Sequence, residues 1–174
     1  MDKVSNLISQ IIRICLFKAG PADVPASQVL MNGSLLVYVV ISVLIGRTDS
    51  SWEISLLTGL AEMLVMMIML WVILSFRKFQ VRYQQTLIAM AGTGVFLGVI
   101  GLPVLIWFYQ LPEADQPTSF PMLLVIALLF WSLMVTAHIF RQALEIRPSV
   151  AVMITVAYTI ISLLAVGLAM SVAV

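Results

Sequence analysis

The stretch "LAEMLVMMIML", residues 60–70, sets one carboxylate, Glu62, among four methionines in an otherwise apolar run. Three kinds of chemistry suit such residues: ion or proton carriage by the carboxylate, a metal site shared with the thioethers, or a polar bond to a neighbouring helix. Met63, Met66 and Met69 recur every three residues, a spacing that offers thioethers to a soft ion such as Cu(I). Each step of three turns an α-helix by about −60°, so the three sulfurs fan over about 120° instead of converging, and Met67 lies outside the fan. No His or Cys accompanies them at the same depth. No metal site and no cofactor is therefore expected, and the methionines read as flexible filling.

The elements that must position Glu62 follow from composition. The chain has 174 residues, 62% of them hydrophobic and 10% charged, and its mean hydropathy is +1.12. That leaves too little polar surface to coat a soluble globule, so an all-α integral membrane protein is expected. A bilayer core of about 30 Å takes roughly 20 apolar residues per helix. Five stretches fit: Val29 to Ile45, Ile54 to Phe76, Thr86 to Tyr109, Met122 to Phe140 and Ser149 to Met170. Residues 1–20 stand apart as an amphipathic segment, and 21–174 form one five-helix transmembrane domain.

The connections are too short to fold as a soluble domain, so any chemistry belongs within the helices or at their mouths. No Ser-His-Asp set, phosphate loop or paired-carboxylate site is evident. The glycines of "GTGVFLG" follow no strand and do not make a dinucleotide loop. An enzyme is the weakest class. A net charge of +1, with the basic residues dispersed at helix ends, implies no nucleic-acid partner. Cys15, the single cysteine, excludes an internal disulfide; it reads as a small apolar residue, with lipidation as the alternative.

Glu62 lies about 14 Å inside Glu53 at roughly 1.5 Å per residue. A carboxylate at that depth is costly unless paired, hydrated or protonated. Ser55, Gly59, Met66 and Met69 share its helix face, taken as the interior one. Tyr38, about 12 Å deep on the first span, and Ser132, about 16 Å deep on the fourth, are the expected partners. His138 lies about 25 Å from the outer end of its span, leaving an axial gap of about 11 Å to Glu62. It is expected instead to hydrogen-bond near the cytoplasmic boundary.

Lipid provides no hydrophobic force between helices, so small residues and polar bonds must associate them. Ala91, Gly94, Gly98 and Gly101 fall within about 80° of one another on the third span, a groove into which another helix should press. Ser34, Tyr38 and Ser42 on the first span, and Thr155, Tyr158, Ser162, Ala165 and Ala169 on the fifth, should also face inward. Pro103 is expected to bend the outer third of the third span.

Lys3, Arg13, Lys18, Arg77, Lys78, Arg82, Arg141 and Arg147 gather on one side of the five spans, and Arg47 alone on the other. The positive-inside rule then places the N-terminus in the cytoplasm and the C-terminus outside. The outer loop "QLPEADQPTSFP" carries Glu113 and Asp115 without a basic residue, and Trp52, Trp107 and Tyr109 sit where an outer aromatic belt would. Arg77, Lys78, Arg82, Arg141 and Arg147 are candidate contacts for anionic lipid or a partner, with topological anchoring as their ordinary role. In the N-terminal segment, Val4, Leu7, Ile8, Ile11, Ile12 and Cys15 recur at helical spacing opposite Lys3, Asn6, Gln10 and Arg13. This predicts an amphipathic helix lying on the cytoplasmic face, stopped by Gly20 and Pro21, rather than a cleaved signal peptide. Asp23 and Ser27 are expected as helix caps before the first span.

A cytoplasmic N-terminal segment, five closely spaced helices, a short outer C-terminus and the approach "PADVPASQ" to the first span resemble the Yip family of small membrane proteins. The likeness covers nearly the whole chain and consists mainly of topology and length. It implies a non-enzymatic membrane protein working through protein or lipid partners, and the compactness of the chain points to a bacterial inner membrane. The leading expectation is thus a scaffold or accessory subunit embedded in the bilayer, associated with a membrane-protein partner or a second copy, with Glu62 in a buried polar layer. The alternative is a small proton- or cation-coupled transporter or channel component that uses Glu62.

Overall fold

The computed structural model describes residues 2–112 and 120–173, with no account of the side chains of residues 2–4, 172 and 173. The expectations for Glu113, Asp115 and the side chains of Lys3 and Val4 fall outside it. Six α-helices carry the described chain: α1 (Asp2–Cys15), α2 (Gln28–Gly46), α3 (Trp52–Phe76), α4 (Tyr83–Tyr109), α5 (Phe120–Leu144) and α6 (Pro148–Ala173). Short 3-10 turns at Pro21–Asp23 and Gln80–Arg82 lead into α2 and α4. Helices α2 to α6 are each long and apolar enough to cross a membrane. The chain is an all-α integral membrane protein, as its composition requires, because a helix satisfies its own backbone groups where no water can.

The helices outrun the apolar stretches at their ends. Helix α5 continues four residues past Phe140, since Ala143 and Leu144 are buried and reward another helical turn. Its stop and those of α1 and α3 share one device. Phe17, Lys78 and Glu145 take φ values of 60°, 59° and 53°. The N–H groups of the next residues, Lys18, Phe79 and Ile146, then reach back to the carbonyls of Arg13, Leu74 and Arg141, the left-handed closure that satisfies the last carbonyls of a helix. At the start of α3, the Ser51 Oγ accepts the Ile54 N–H at 3.4 Å. Ser27 occupies the cap position of α2 in extended conformation but makes no side-chain cap bond. Asp23 accepts the Gly20 N–H at 2.8 Å and so closes the 3-10 turn instead.

Each spanning helix packs against two neighbours in a ring whose order is α2, α3, α6, α5, α4. Half of the membrane window of α4 is buried, against 11% to 17% for the other four, which makes α4 the most enclosed element. Its residues Thr86 to Thr93 are all buried, eight in succession, because α1 covers the side that the ring leaves free. At this end α3 and α4 also meet across the ring, where the Tyr83 phenol donates to the Met67 carbonyl at 3.3 Å.

Helix α1 is docked on α4 and α5. Leu7, Ile11, Ile14 and Cys15 form its buried stripe, whereas Ile8 is 53% exposed. The stripe is thus rotated from the expected one toward Ile14. Gln10, expected on the polar side, is half-buried with its amide oxygen shielded and unpaired. Ile11 fills the space over Gly92, where any Cβ would collide with it. The Trp131 indole donates to the Cys15 carbonyl at 3.0 Å. Burial pushes the Cys15 thiol up to about 11, so it is a packed, unreactive group rather than an accessible lipidation site.

Candidate functional site

The glycines of α4 decide where the first wall of the site stands. A Cβ on Gly94 would lie 2.7 Å from the Tyr38 ring, and one on Gly98 would lie 2.5 Å from Ile41 Cγ2. Their absence lets α2 press against α4 and seats the Tyr38 ring against Gly94. The expected groove is therefore real but divided. Gly94 and Gly98 receive α2, Ala91 is buried beside them, and Gly101 turns to Leu128 of α5, which a Cβ would meet at an ordinary contact distance of 3.8 Å. On the other flank, Gly59 of α3 admits Ser42 and Val43 of α2, and Gly46 admits Ser55.

This close approach brings Glu62 to α2. Its Oε2 accepts from the Ser42 hydroxyl at 3.3 Å and from the Tyr38 phenol at 3.5 Å. Tyr38 is thus the partner anticipated from depth. Ser42, which shares the Tyr38 face four residues on, was legible as part of the inward stripe but not as a partner. Ser132 is not a partner: its hydroxyl donates to the Leu129 carbonyl of its own helix at 2.8 Å. A serine inside a helix shares a carbonyl one turn back more readily than it bonds a group across a gap.

Glu62 faces a cavity of about 620 Å³ on the axis of the ring, to which all five spanning helices contribute. Tyr38, Ser42, Thr93, Ser132, Thr136 and Tyr158 line it with hydroxyls. Most of the threonines are already bonded to a carbonyl of their own helix, as Thr58 is to Ile54 at 2.9 Å and Thr93 to Ala89 at 2.8 Å. They retain acceptor lone pairs for a guest. Met66, 1% exposed, and Met90 close the cavity toward the end that carries α1. In the other direction the lining runs to Thr48, Asp49 and Ser50 in the turn after α2, where Asp49 is exposed. Met66 is thus a cavity wall, while Met63 and Met67 pack against the core.

The remaining candidates lie elsewhere. His138 Nε2 lies 2.9 Å from the Ala19 carbonyl, and its ring meets Phe17 edge to face. It fastens the chain after α1 and does not approach Glu62. Arg77, Lys78, Arg141 and Arg147 are exposed at the α1 end. Arg82 differs from them because it is engaged internally: it pairs with Glu145 at 2.6 Å, donates to the Ala143 carbonyl at 3.4 Å and lies over the Phe79 ring. Among the described residues no three His, Cys, Asp or Glu side chains gather as metal ligands.

Fold and site together define a five-helix integral membrane protein with a cleft, largely apolar but bearing hydroxyls, that holds a carboxylate at membrane depth. No protein-family model, no curated protein and no solved structure matches the chain.

Proposed function

We propose that this protein is a non-enzymatic component of membrane transport, a small transporter or channel subunit that admits a cation from one membrane face to Glu62. One observation carries this reading: the carboxylate lies on the cleft, and its two hydroxyl partners stand at 3.3 and 3.5 Å. Hydroxyl-to-carboxylate bonds of full strength are about 2.5 to 2.7 Å long. Glu62 is held by two long bonds from one helix, and a cation arriving through the cleft would give it a charged partner. In the same reading the N-terminus and the end of the bundle that carries α1 face the cytoplasm across a bacterial inner membrane. The cleft then opens to the periplasmic side, where Arg47 is the single basic residue.

The scaffold reading, with its Yip-like topology, draws on the same bonds seen differently. Tyr38 and Ser42 on α2 tie to Glu62 on α3, a polar link of the kind that holds membrane helices together. Under it the protein works through a membrane-protein partner or a second copy, and the exposed basic end meets anionic headgroups. A Glu62→Gln variant separates the two, because the amide still hydrogen-bonds but carries no charge. In proteoliposomes the transport reading expects sodium, potassium or proton flux from the unaltered protein and its collapse in Glu62→Gln. Flux that survives the substitution, or no flux of these ions or of any organic cation from the unaltered protein, would leave the scaffold.

A further inference from the structure

The identity of the cation is written into the cavity's size and lining. A volume of about 620 Å³ lies within the range of roughly 300 to 1,000 Å³ that organic ligands occupy, and a bare alkali ion or a proton would leave nearly all of it to water. Among the described lining residues the charges are acidic, with Glu62 within and Asp49 at the mouth, and Arg47 beside the mouth is engaged by the Ser50 carbonyl at 2.6 Å and the Trp52 ring. A divalent metal finds one carboxylate where it needs several oxygen ligands. Above Glu62 the walls are apolar, with Leu97, Leu105, Val166 and Met170. Tyr38, which bonds Glu62, and Tyr158 both line the cavity, and aromatic rings attract a weakly hydrated organic cation.

We infer that the cleft binds an amphiphilic organic monocation, its charge against Glu62 and the two tyrosines and its apolar body along the wall toward Asp49. This rests on the transport reading above and names its substrate class. The cation enters past the α2–α3 turn and stops at Met66 and Met90, where α3 and α4 close the ring.

The probe is tetraphenylphosphonium, with tetraphenylborate as an anion of the same shape, titrated into protein purified in an uncharged detergent. Saturable binding of the phosphonium is expected, weakened at least about tenfold in Glu62→Gln and about threefold or more in Tyr158→Leu. No saturable binding of the borate is expected. The Tyr158→Leu variant keeps the test decisive if Glu62→Gln does not elute as a folded species. Equal binding of the borate, or phosphonium binding unchanged in both variants, overturns the inference. Absence of phosphonium binding alongside Glu62-dependent sodium or proton flux overturns the substrate class and leaves the transport reading standing. Absence of both overturns the two together.

Discussion

At the scale of single residues, the contact that most constrains the site is made by an atom that is missing. A Cβ on Gly98 would sit 2.5 Å from Ile41 and 3.3 Å from Ile45, so Gly98→Leu should drive α2 from α4 and cost about 1 to 3 kcal/mol by overpacking. Unfolding in a mild detergent titrated with a denaturing one measures this. Pairing the change with Ile41→Ala should recover part of the loss, because the two atoms contest one space; strictly additive losses would mean that the helices do not meet there. The glycine pattern was legible in sequence because a helix surface without side chains has few uses other than close approach. Which partner each glycine receives was not legible, since Gly94 and Gly98 turn to α2 while Gly101 turns to α5. The same limit applied to Glu62: counting residues gave its depth and correctly suggested Tyr38, but depth alone could not reject Ser132, whose hydroxyl is spent on Leu129.

At the scale of elements, α1 shows how a tertiary setting overrides an amphipathic pattern. Its apolar residues at helical spacing suited a helix lying on lipid, yet Ile14, Cys15 and Ile11 are buried against α4 and α5 and Ile8 is left exposed. Three side chains of α4 and α5 bond carbonyls of α1 and of the segment between α1 and α2: Trp131 to Cys15, His138 to Ala19, and Gln85 to Val24 at 2.9 Å. Carbonyls freed by the end of a helix have no partner in the acyl layer unless the protein supplies one. Trp131→Phe keeps a ring against Phe96 and removes the N–H. It should loosen α1 by about 1 kcal/mol, seen as faster amide hydrogen exchange in residues 5–15 with the spanning helices unchanged. Unaltered exchange there would show that α1 is held by apolar burial alone.

For the whole molecule, a ring of five helices pinched at one end gives the cleft a direction, and that direction has a meaning only relative to the two sides of the membrane. If the basic end is cytoplasmic, Asp49→Cys at the cleft mouth should react with an impermeant maleimide in intact cells. Arg77→Cys should then react only after permeabilisation. The native Cys15, buried with its thiol pushed up to about 11, contributes little background. The reverse labelling pattern would turn the molecule over and make the cleft open to the cytoplasm.

Sequence alone determined what this protein is made of: five membrane helices, a carboxylate at membrane depth, and a stripe of small residues on one of them. All of these depend on properties local to one helix, namely apolar length, helical phase and residue size. The order of helices around the ring, the cavity at its centre and the sharing of Glu62 between two hydroxyls of α2 were decided only in the tertiary structure. Phase along one helix states which residues share a face, but the face that meets it belongs to another segment of chain. In lipid, where every helix exterior is equally at home, only steric fit and polar pairing choose among the arrangements.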